Sequence, residues 1–61
     1  MAGDSTVYFE HMIVGASAKL VAIDERTGIE VTVMGPARTP AADLKKLALV
    51  KLKARIAREQ S

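Results

Sequence analysis

The chain has 61 residues with no cysteine and one histidine, which excludes disulfides, thiolate metal sites and a structural zinc site built on histidine. Since 49% of the residues are hydrophobic, we expect a folded domain. A domain of about 60 residues buries only about 60% of its unfolded surface, so its stability is marginal. Oligomerisation is the remaining way to increase that stability. The net charge of +2 combines −3 over residues 1–35 (five acidic, two basic side chains) with +5 over residues 36–61 (two acidic, seven basic), which favours an anionic partner or head-to-tail contact between copies.

The first six residues, MAGDST, are small and polar and predict a flexible N-terminus over residues 1–6. This segment lacks the basic and apolar regions of a signal peptide. No stretch of the chain approaches the roughly 20 consecutive apolar residues that span a membrane. We therefore expect a cytoplasmic protein with no membrane partner.

The next segment, VYFEHMIV at residues 7–14, is rich in β-branched and aromatic residues and predicts the first strand. Gly15 adopts a positive φ without steric cost, so it marks a tight turn. The second strand is predicted over residues 18–24.

Two registers are possible between these strands. A three-residue turn places Phe9 beside Ile23, whereas a two-residue turn places Tyr8 there, and this one-residue slip exchanges the two faces of the strand. We favour the three-residue turn, because it places Phe9 on the face with more branched aliphatic residues.

The sequence DERTG gives the strongest turn signal of the chain. Asp24 suits the first position of a type I turn, and Gly28 suits the left-handed position that follows such a turn. If Asp24 faces Gly28, Ile23 pairs with Ile29. The third strand then ends near Met34, because the proline that follows cannot donate to a ladder.

These registers assign the strand residues to two faces. The face predicted to meet the helix contains Phe9, Val21, Ile23, Ile29, Val31 and Val33. The back face is half apolar and contains Tyr8, Met12, Val14, Leu20, Ala22 and Met34.

The sequence TPAAD predicts the start of a helix. Thr39 is a good N-cap, Pro40 suits the first turn, and Asp43 interacts favourably with the positive end of the helix dipole. No breaker follows before Arg58, so the helix is predicted over residues 40–58 with a length of about 28 Å.

This helix carries more apolar surface than one sheet face can cover. A sheet-covering stripe is a little over about 100° wide, whereas the apolar residues here span about half of the helix or more. Since one helix covers one face of a three-stranded sheet, apolar surface remains for a partner. The helix residues predicted to meet the sheet are Leu44, Leu47, Ala48 and Leu52. The predicted self-association or partner surface comprises Tyr8, Met12, Leu20, Met34, Leu49, Val50 and Ile56.

No group of side chains predicts catalysis. His11 is the acid–base candidate, but its neighbour Glu10 points to the opposite face of the strand. We expect His11 to be a partly buried strand residue with a hydrogen bond. The sequence therefore predicts no catalytic residue, no metal site and no cofactor.

The basic helix predicts an alternative function. Its cations are suited to phosphates, whose neutralisation releases counterions and supplies affinity for nucleic acid. The charges are distributed around the helix, and no exposed aromatic is placed for base stacking, so this reading is secondary to protein–protein contact. The candidate anion contacts are Lys45, Lys46, Lys51, Lys53, Arg55 and Arg58.

Three blocks in order, VYFEHMIVG, AIDERTGIEVTVMGPA and LKKLALVKLKARIA, resemble a family of short uncharacterised proteins from alphaproteobacteria. The resemblance covers roughly residues 7–58. It implies a self-contained bacterial cytoplasmic domain of unknown function, and it brings no activity with it.

Together these observations predict an α+β domain over residues 7–58, with residues 59–61 as a C-terminal tail. It consists of a three-stranded antiparallel meander in the order 1-2-3 and one long C-terminal helix packed on one sheet face. The predicted function is a small non-catalytic interaction or assembly module, which is a homodimer or an accessory subunit of a larger protein complex.

Overall fold

The computed structural model describes residues 6–60 and has the predicted βββα order. The strands are β1 (Val7–Val14), β2 (Ser17–Asp24) and β3 (Glu30–Pro36), and they form one antiparallel sheet in the order β1-β2-β3. The helix α1 (Ala41–Gln60) packs on β2 and β3. The predicted fold class is confirmed, and the expectation of a flexible N-terminus falls mostly on residues outside the described range.

The core lies between α1 and one face of the sheet. Leu44, Ala48 and Leu52 are spaced four residues apart, which places them on one side of the helix, and each is at most 1% exposed. Small side chains on the sheet let the helix approach closely: a Cβ added at Gly35 would lie 3.6 Å from a Leu44 methyl carbon. The buried strand residues of this cluster are Ala18, Leu20, Ala22 and Val31.

The second hairpin differs from its predicted register by one residue. Its loop spans residues 25–28, and the Asp24 N–H donates to the Ile29 carbonyl at 2.9 Å. Gly28 has the predicted positive φ of 76°, and its N–H donates to the Asp24 carbonyl at 2.8 Å. Gly28 therefore belongs to the loop, and Ile29 takes the pairing position that the prediction gave to Gly28.

The first hairpin also differs by one residue from the favoured register. Val14 pairs with Ser17 across a two-residue loop, so Tyr8 pairs with Ile23. Gly15 occupies the first loop position with a φ of 61°, as a type II′ turn requires. The preference for a three-residue turn was wrong, and the protein adopts the alternative register.

Each one-residue shift inverts a face, so the two together invert only β2. The strands β1 and β3 keep their predicted faces, although Phe9 now aligns across β2 with Val31 rather than with Ile29. Phe9 and Val33 therefore lie on the helix side and pack against the core, as predicted. Because side chains alternate along a strand, the inversion moves each β2 side chain to the other face. The residues placed on the wrong face by the sequence are Leu20, Val21, Ala22 and Ile23.

The assignments of Val21, Ile23 and Leu47 to the helix–sheet core were wrong. Val21 and Ile23 point to the face that the helix leaves uncovered. Val21 is still only 8% exposed, because it lies in the central strand between Glu10 and Thr32. Leu47 is 58% exposed, since the helix meets the sheet with a narrower stripe than the leucine pattern indicated.

The helix is displaced by one to two residues at its ends from the prediction. The Pro40 carbonyl accepts hydrogen bonds from the Asp43 and Leu44 N–H groups at 3.0 and 3.3 Å, so the helix begins at Ala41. It ends at Gln60, and most of the predicted tail is therefore helical.

Candidate protein–protein interface

The face of the sheet opposite α1 is about half apolar and is here called the uncovered sheet face. Across the strands, Met12 and Met34 flank Lys19, and Tyr8 lies beside Ile23. Tyr8 and Met34 are 53% and 59% exposed. The apolar residues of the uncovered sheet face are Tyr8, Met12, Val14, Val21, Ile23 and Met34.

The structure separates the predicted partner surface into different regions. Tyr8, Met12 and Met34 lie together on the uncovered sheet face. Leu20 is fully buried beneath the helix, so its assignment to a partner surface was wrong for the register reason given above. The predicted helix residues of this surface are a half-buried Leu49, a 70% exposed Val50 and a half-buried Ile56 that packs against the core.

The outer edge of β1 has no strand beside it within residues 6–60. In an antiparallel pair, alternate residues direct their backbone groups toward the neighbouring strand. The Glu25 N–H donates to the Thr6 carbonyl at 2.9 Å. The backbone N–H and C=O groups of Thr6, and of every second residue after it, therefore point toward β2. The residues whose N–H and C=O groups point outward are therefore Val7, Phe9, His11 and Ile13.

The outer edge of β3 is protected, unlike that of β1. The bond from the Asp24 N–H to the Ile29 carbonyl shows that the backbone groups of Ile29, and of every second residue after it, point toward β2. The backbone groups of Thr32 and Pro36 therefore point outward. Pro36 offers no N–H, and the Thr32 carbonyl accepts a hydrogen bond from Lys51 Nζ at 3.1 Å. A proline and a lysine at an edge are common devices against strand addition.

Apolar side chains on both faces of β1 remain exposed. Val14 on the uncovered sheet face and Ile13 on the helix side are each 54% exposed. Phe9 is half-buried, and Lys45 Nζ lies 5.4 Å from the centre of its ring. Because α1 packs on β2 and β3, the helix side of β1 is only partly covered.

His11 differs from its predicted environment. Its side chain is exposed on the helix side of β1, where its strand neighbour is Leu20. Glu10 points to the uncovered sheet face, as the strand alternation predicted. In the described part of the chain, no group of three or more histidine, aspartate or glutamate side chains is arranged to hold a metal ion.

The Tyr8 phenol on the uncovered sheet face has a raised pKa. Its hydroxyl donates to Glu25 Oε2 at 3.2 Å. The negative charge of Glu25, and secondly this hydrogen bond, raise the pKa of Tyr8 above its ordinary value of 10.0. The contact therefore favours folding below about pH 10 and is lost as the pH rises through the folded-state pKa of the phenol.

We expect Glu25→Gln to lower the pKa of Tyr8 toward its ordinary value, because the substitution removes the charge and keeps an amide acceptor. The chain has one tyrosine, so its tyrosinate absorbance reports this group alone. Circular dichroism over the same pH range controls for alkaline unfolding. An unchanged titration curve would show that Glu25 does not act on the phenol.

The basic residues of α1 form separate contacts rather than one cationic surface. Lys45 lies over Phe9, and Lys51 bonds the β3 edge. Arg55 Nε donates to Glu59 Oε2 at 3.4 Å in an exposed pair. The remaining predicted anion contacts are Lys46, Lys53 and Arg58, all exposed. Nucleic-acid binding stays a prediction.

Sequence reasoning missed two features of this surface. It placed Leu47 in the core, and it did not consider the outer edge of β1. The first strand of a meander is always an edge, and Pro36 already indicated that the other edge is protected. Those two signals together were sufficient to single out β1.

The sequence matches the family model described as "Domain of unknown function (DUF6898)" over residues 4–59, and the chain therefore belongs to that family. No curated protein and no solved structure matches it. In the part of the chain that the structure describes, no helix is both long enough and apolar enough to cross a bilayer.

Proposed function

We propose that this member of the DUF6898 family is a non-catalytic assembly module that self-associates through the outer edge of β1. Two β1 strands pair antiparallel in a homodimer, and the two three-stranded sheets become one six-stranded sheet. The observation that carries this proposal is the contrast between the two edges: β3 is blocked by Pro36 and Lys51, whereas no strand lies beside the outer edge of β1 within residues 6–60.

The exposed side chains of β1 support this mode of contact. A strand added at β1 places side chains beside Ile13 on the helix side and beside Tyr8 and Val14 on the uncovered sheet face. Apolar burial contributes roughly 25 cal/mol for each square ångström removed from water. A domain of this size has a small core of its own, so burial of this kind is a substantial part of its stability.

Symmetry and charge favour one register for the paired strands. Antiparallel pairing of the same strand is two-fold symmetric, as most homodimers are. A register that pairs Phe9 with His11 places Glu10 directly opposite its own copy, which is unfavourable. Pairing His11 with its own copy instead places Phe9 opposite Ile13, and Glu10 opposite Met12. We infer that the two-fold axis passes beside His11.

Proline substitution at outward-facing positions tests the proposal. His11→Pro removes an N–H that the chain's own ladder does not use, but that pairing of two β1 strands needs. We expect the dissociation constant of the dimer to rise by at least about tenfold, since two central hydrogen bonds are lost. Sedimentation equilibrium over a concentration series measures this constant.

The matched control is Thr32→Pro, which removes the outward N–H of the other edge strand. It should leave the dimer constant unchanged. If circular dichroism shows that His11→Pro is unfolded, Ile13→Lys provides a second variant, because a lysine there opposes strand addition without touching the backbone. A wild-type chain that remains monomeric at high concentration, or equal effects of the two proline variants, would refute the β1 interface.

A further inference from the structure

A second apolar surface lies on the side of α1 that faces away from the sheet. Leu47 and Val50 are 58% and 70% exposed, and Ala54 and Ala57 follow at spacings of four and three residues. At 3.6 residues per turn these four residues fall within an arc of about 80°. We call them the outer helix stripe: Leu47, Val50, Ala54 and Ala57.

The spacing of the outer helix stripe is that of a helix–helix contact. Apolar residues that recur at alternating intervals of three and four residues form the seam along which two helices pack. The alanines at its C-terminal half leave room for close approach of a second backbone. The core stripe of Leu44, Ala48 and Leu52 is separate from it, so the domain's own fold does not use the outer helix stripe.

Both borders of the outer helix stripe are basic. Lys46 and Lys53 lie along one border, and Lys51 and Arg58 lie along the other when the positions are projected on the helix. Over its whole length α1 has six basic side chains against Asp43 and Glu59. Residues that border a helical seam set partner choice through interhelical charge pairs.

This charge pattern disfavours a second copy of α1 as the occupant. Because both borders are basic, parallel and antiparallel pairing of two such helices each bring lysines close to lysines or arginines. Like charges in such positions destabilise a helical pair. A helix with leucine-type residues on one side and glutamate or aspartate beside them has the complementary pattern.

We propose that the outer helix stripe binds an acidic amphipathic helix of another protein. This contact uses α1, which packs on β2 and β3, whereas the proposed dimer uses the outer edge of β1. The module would thereby join its own dimer, formed through β1, to a second and different protein.

Two synthetic peptides test this inference with the full chain. Both are helical with the same leucine and alanine seam, and one has glutamate and the other lysine at the bordering positions. We expect the acidic peptide to bind, measured by fluorescence anisotropy, and the basic peptide to bind at least about tenfold more weakly. Val50→Asn, which makes a 70% exposed apolar position of the stripe polar, should weaken binding of the acidic peptide by about tenfold.

The border charges provide a sharper test. Lys46→Glu/Lys53→Glu should remove most of the preference for the acidic peptide, because one border becomes acidic while Lys51 and Arg58 keep the other border basic. The matched control, Arg26→Glu/Arg38→Glu, makes the same change in net charge at two exposed residues outside the helix and should keep the original preference. Circular dichroism confirms that each variant is folded.

Three results would overturn the inference. The first is that neither peptide binds the wild-type chain. The second is that Val50→Asn abolishes self-association, which would assign the stripe to a second copy. The third is that a random-sequence oligonucleotide binds through Lys46 and Lys53 while the acidic peptide does not, which would assign the basic borders to phosphates. Peptide binding by the monomeric His11→Pro variant would show that the helix contact does not depend on the β1 dimer.

Discussion

We expect Leu52→Ala to unfold most of the protein at room temperature. Leu52 is 1% exposed and lies in the core with Leu44, Ala48 and the buried residues of β2. Truncation of a buried leucine to alanine costs about 2–5 kcal/mol, because transfer energy is lost and a cavity remains. A core of this size rarely supplies more than about 3–5 kcal/mol of net stability. The cost is therefore comparable to the whole free energy of unfolding.

Leu47→Ala is the matched control for this prediction. It makes the same chemical change on the same helix, but Leu47 is 58% exposed. We expect its effect to lie within about 0.5 kcal/mol of zero. Urea titration followed by circular dichroism measures both variants, at one protein concentration, because the stability of a dimer depends on concentration. Equal losses for the two variants would mean that α1 is rotated from its described orientation.

The pair also tests where sequence reasoning about the helix failed. The hydrophobic pattern contains Leu44, Leu47, Leu49 and Leu52, and the sequence alone gives no ranking among them. The sheet meets one narrow stripe of the helix: two of the three apolar β2 side chains beneath it are alanines, Ala18 and Ala22, which lets the helix sit close beside Leu20. Leu47, placed in the core by the sequence, is instead 58% exposed.

The strand registers show a different kind of limit. The elements and their order followed from local signals: β-branched runs, Gly15 and Gly28 in turns, and Pro36 near the end of β3. Each hairpin admitted two loop lengths, and a difference of one residue inverts a face. The orientation of β2 was ambiguous because apolar residues occupy successive positions, such as Leu20 and Val21. Neither face of the strand was therefore clearly polar.

The candidate interface was predictable only in part, for the same physical reason. The number of faces alone predicts uncovered apolar surface, because one helix on a three-stranded sheet leaves one sheet face open. Tyr8, Met12 and Met34 were correctly placed there, since the two one-residue shifts together leave the faces of β1 and β3 unchanged. Leu20 could not be excluded without the register, and the open edge of β1 depends on backbone directions that only the register defines.

The Asp24 turn is where the register is determined, and we expect Asp24→Ala to be the next most damaging substitution. The Asp24 side chain is 2% exposed, and its Oδ2 accepts hydrogen bonds from the Thr27 N–H at 3.0 Å and the Thr27 hydroxyl at 2.8 Å. The Thr27 Oγ1 in turn accepts a bond from the Ile29 N–H at 3.2 Å. This chain of bonds links the last residue of β2 to the residue that precedes β3.

Loss of the Asp24 carboxylate removes the acceptor at the centre of this chain. Hydrogen bonds to charged groups contribute about 1.5–3 kcal/mol each, and neutral ones about 1 kcal/mol. Both bonds are only part-buried, which weakens them, so we expect Asp24→Ala to cost about 2–3 kcal/mol, below the sum for two fully buried bonds. Asp24→Asn, which keeps an oxygen acceptor, should cost less. Urea midpoints at one protein concentration measure both. The control is Glu25→Ala at the adjacent exposed position, with an expected change within about 0.5 kcal/mol.

A double-mutant cycle separates the turn's hydrogen bonds from the other effects of removing Asp24. Thr27→Val deletes the hydroxyl but keeps the N–H and nearly the same shape. If the hydroxyl acts through Asp24, the losses from Asp24→Ala and Thr27→Val overlap, and the double variant is less destabilised than their sum by about 1 kcal/mol. Strict additivity would show that the Thr27 hydroxyl contributes independently of the carboxylate. The position of the four-residue loop, and with it the face that β2 presents to the helix, would then depend on Gly28 and the strands rather than on this side-chain relay.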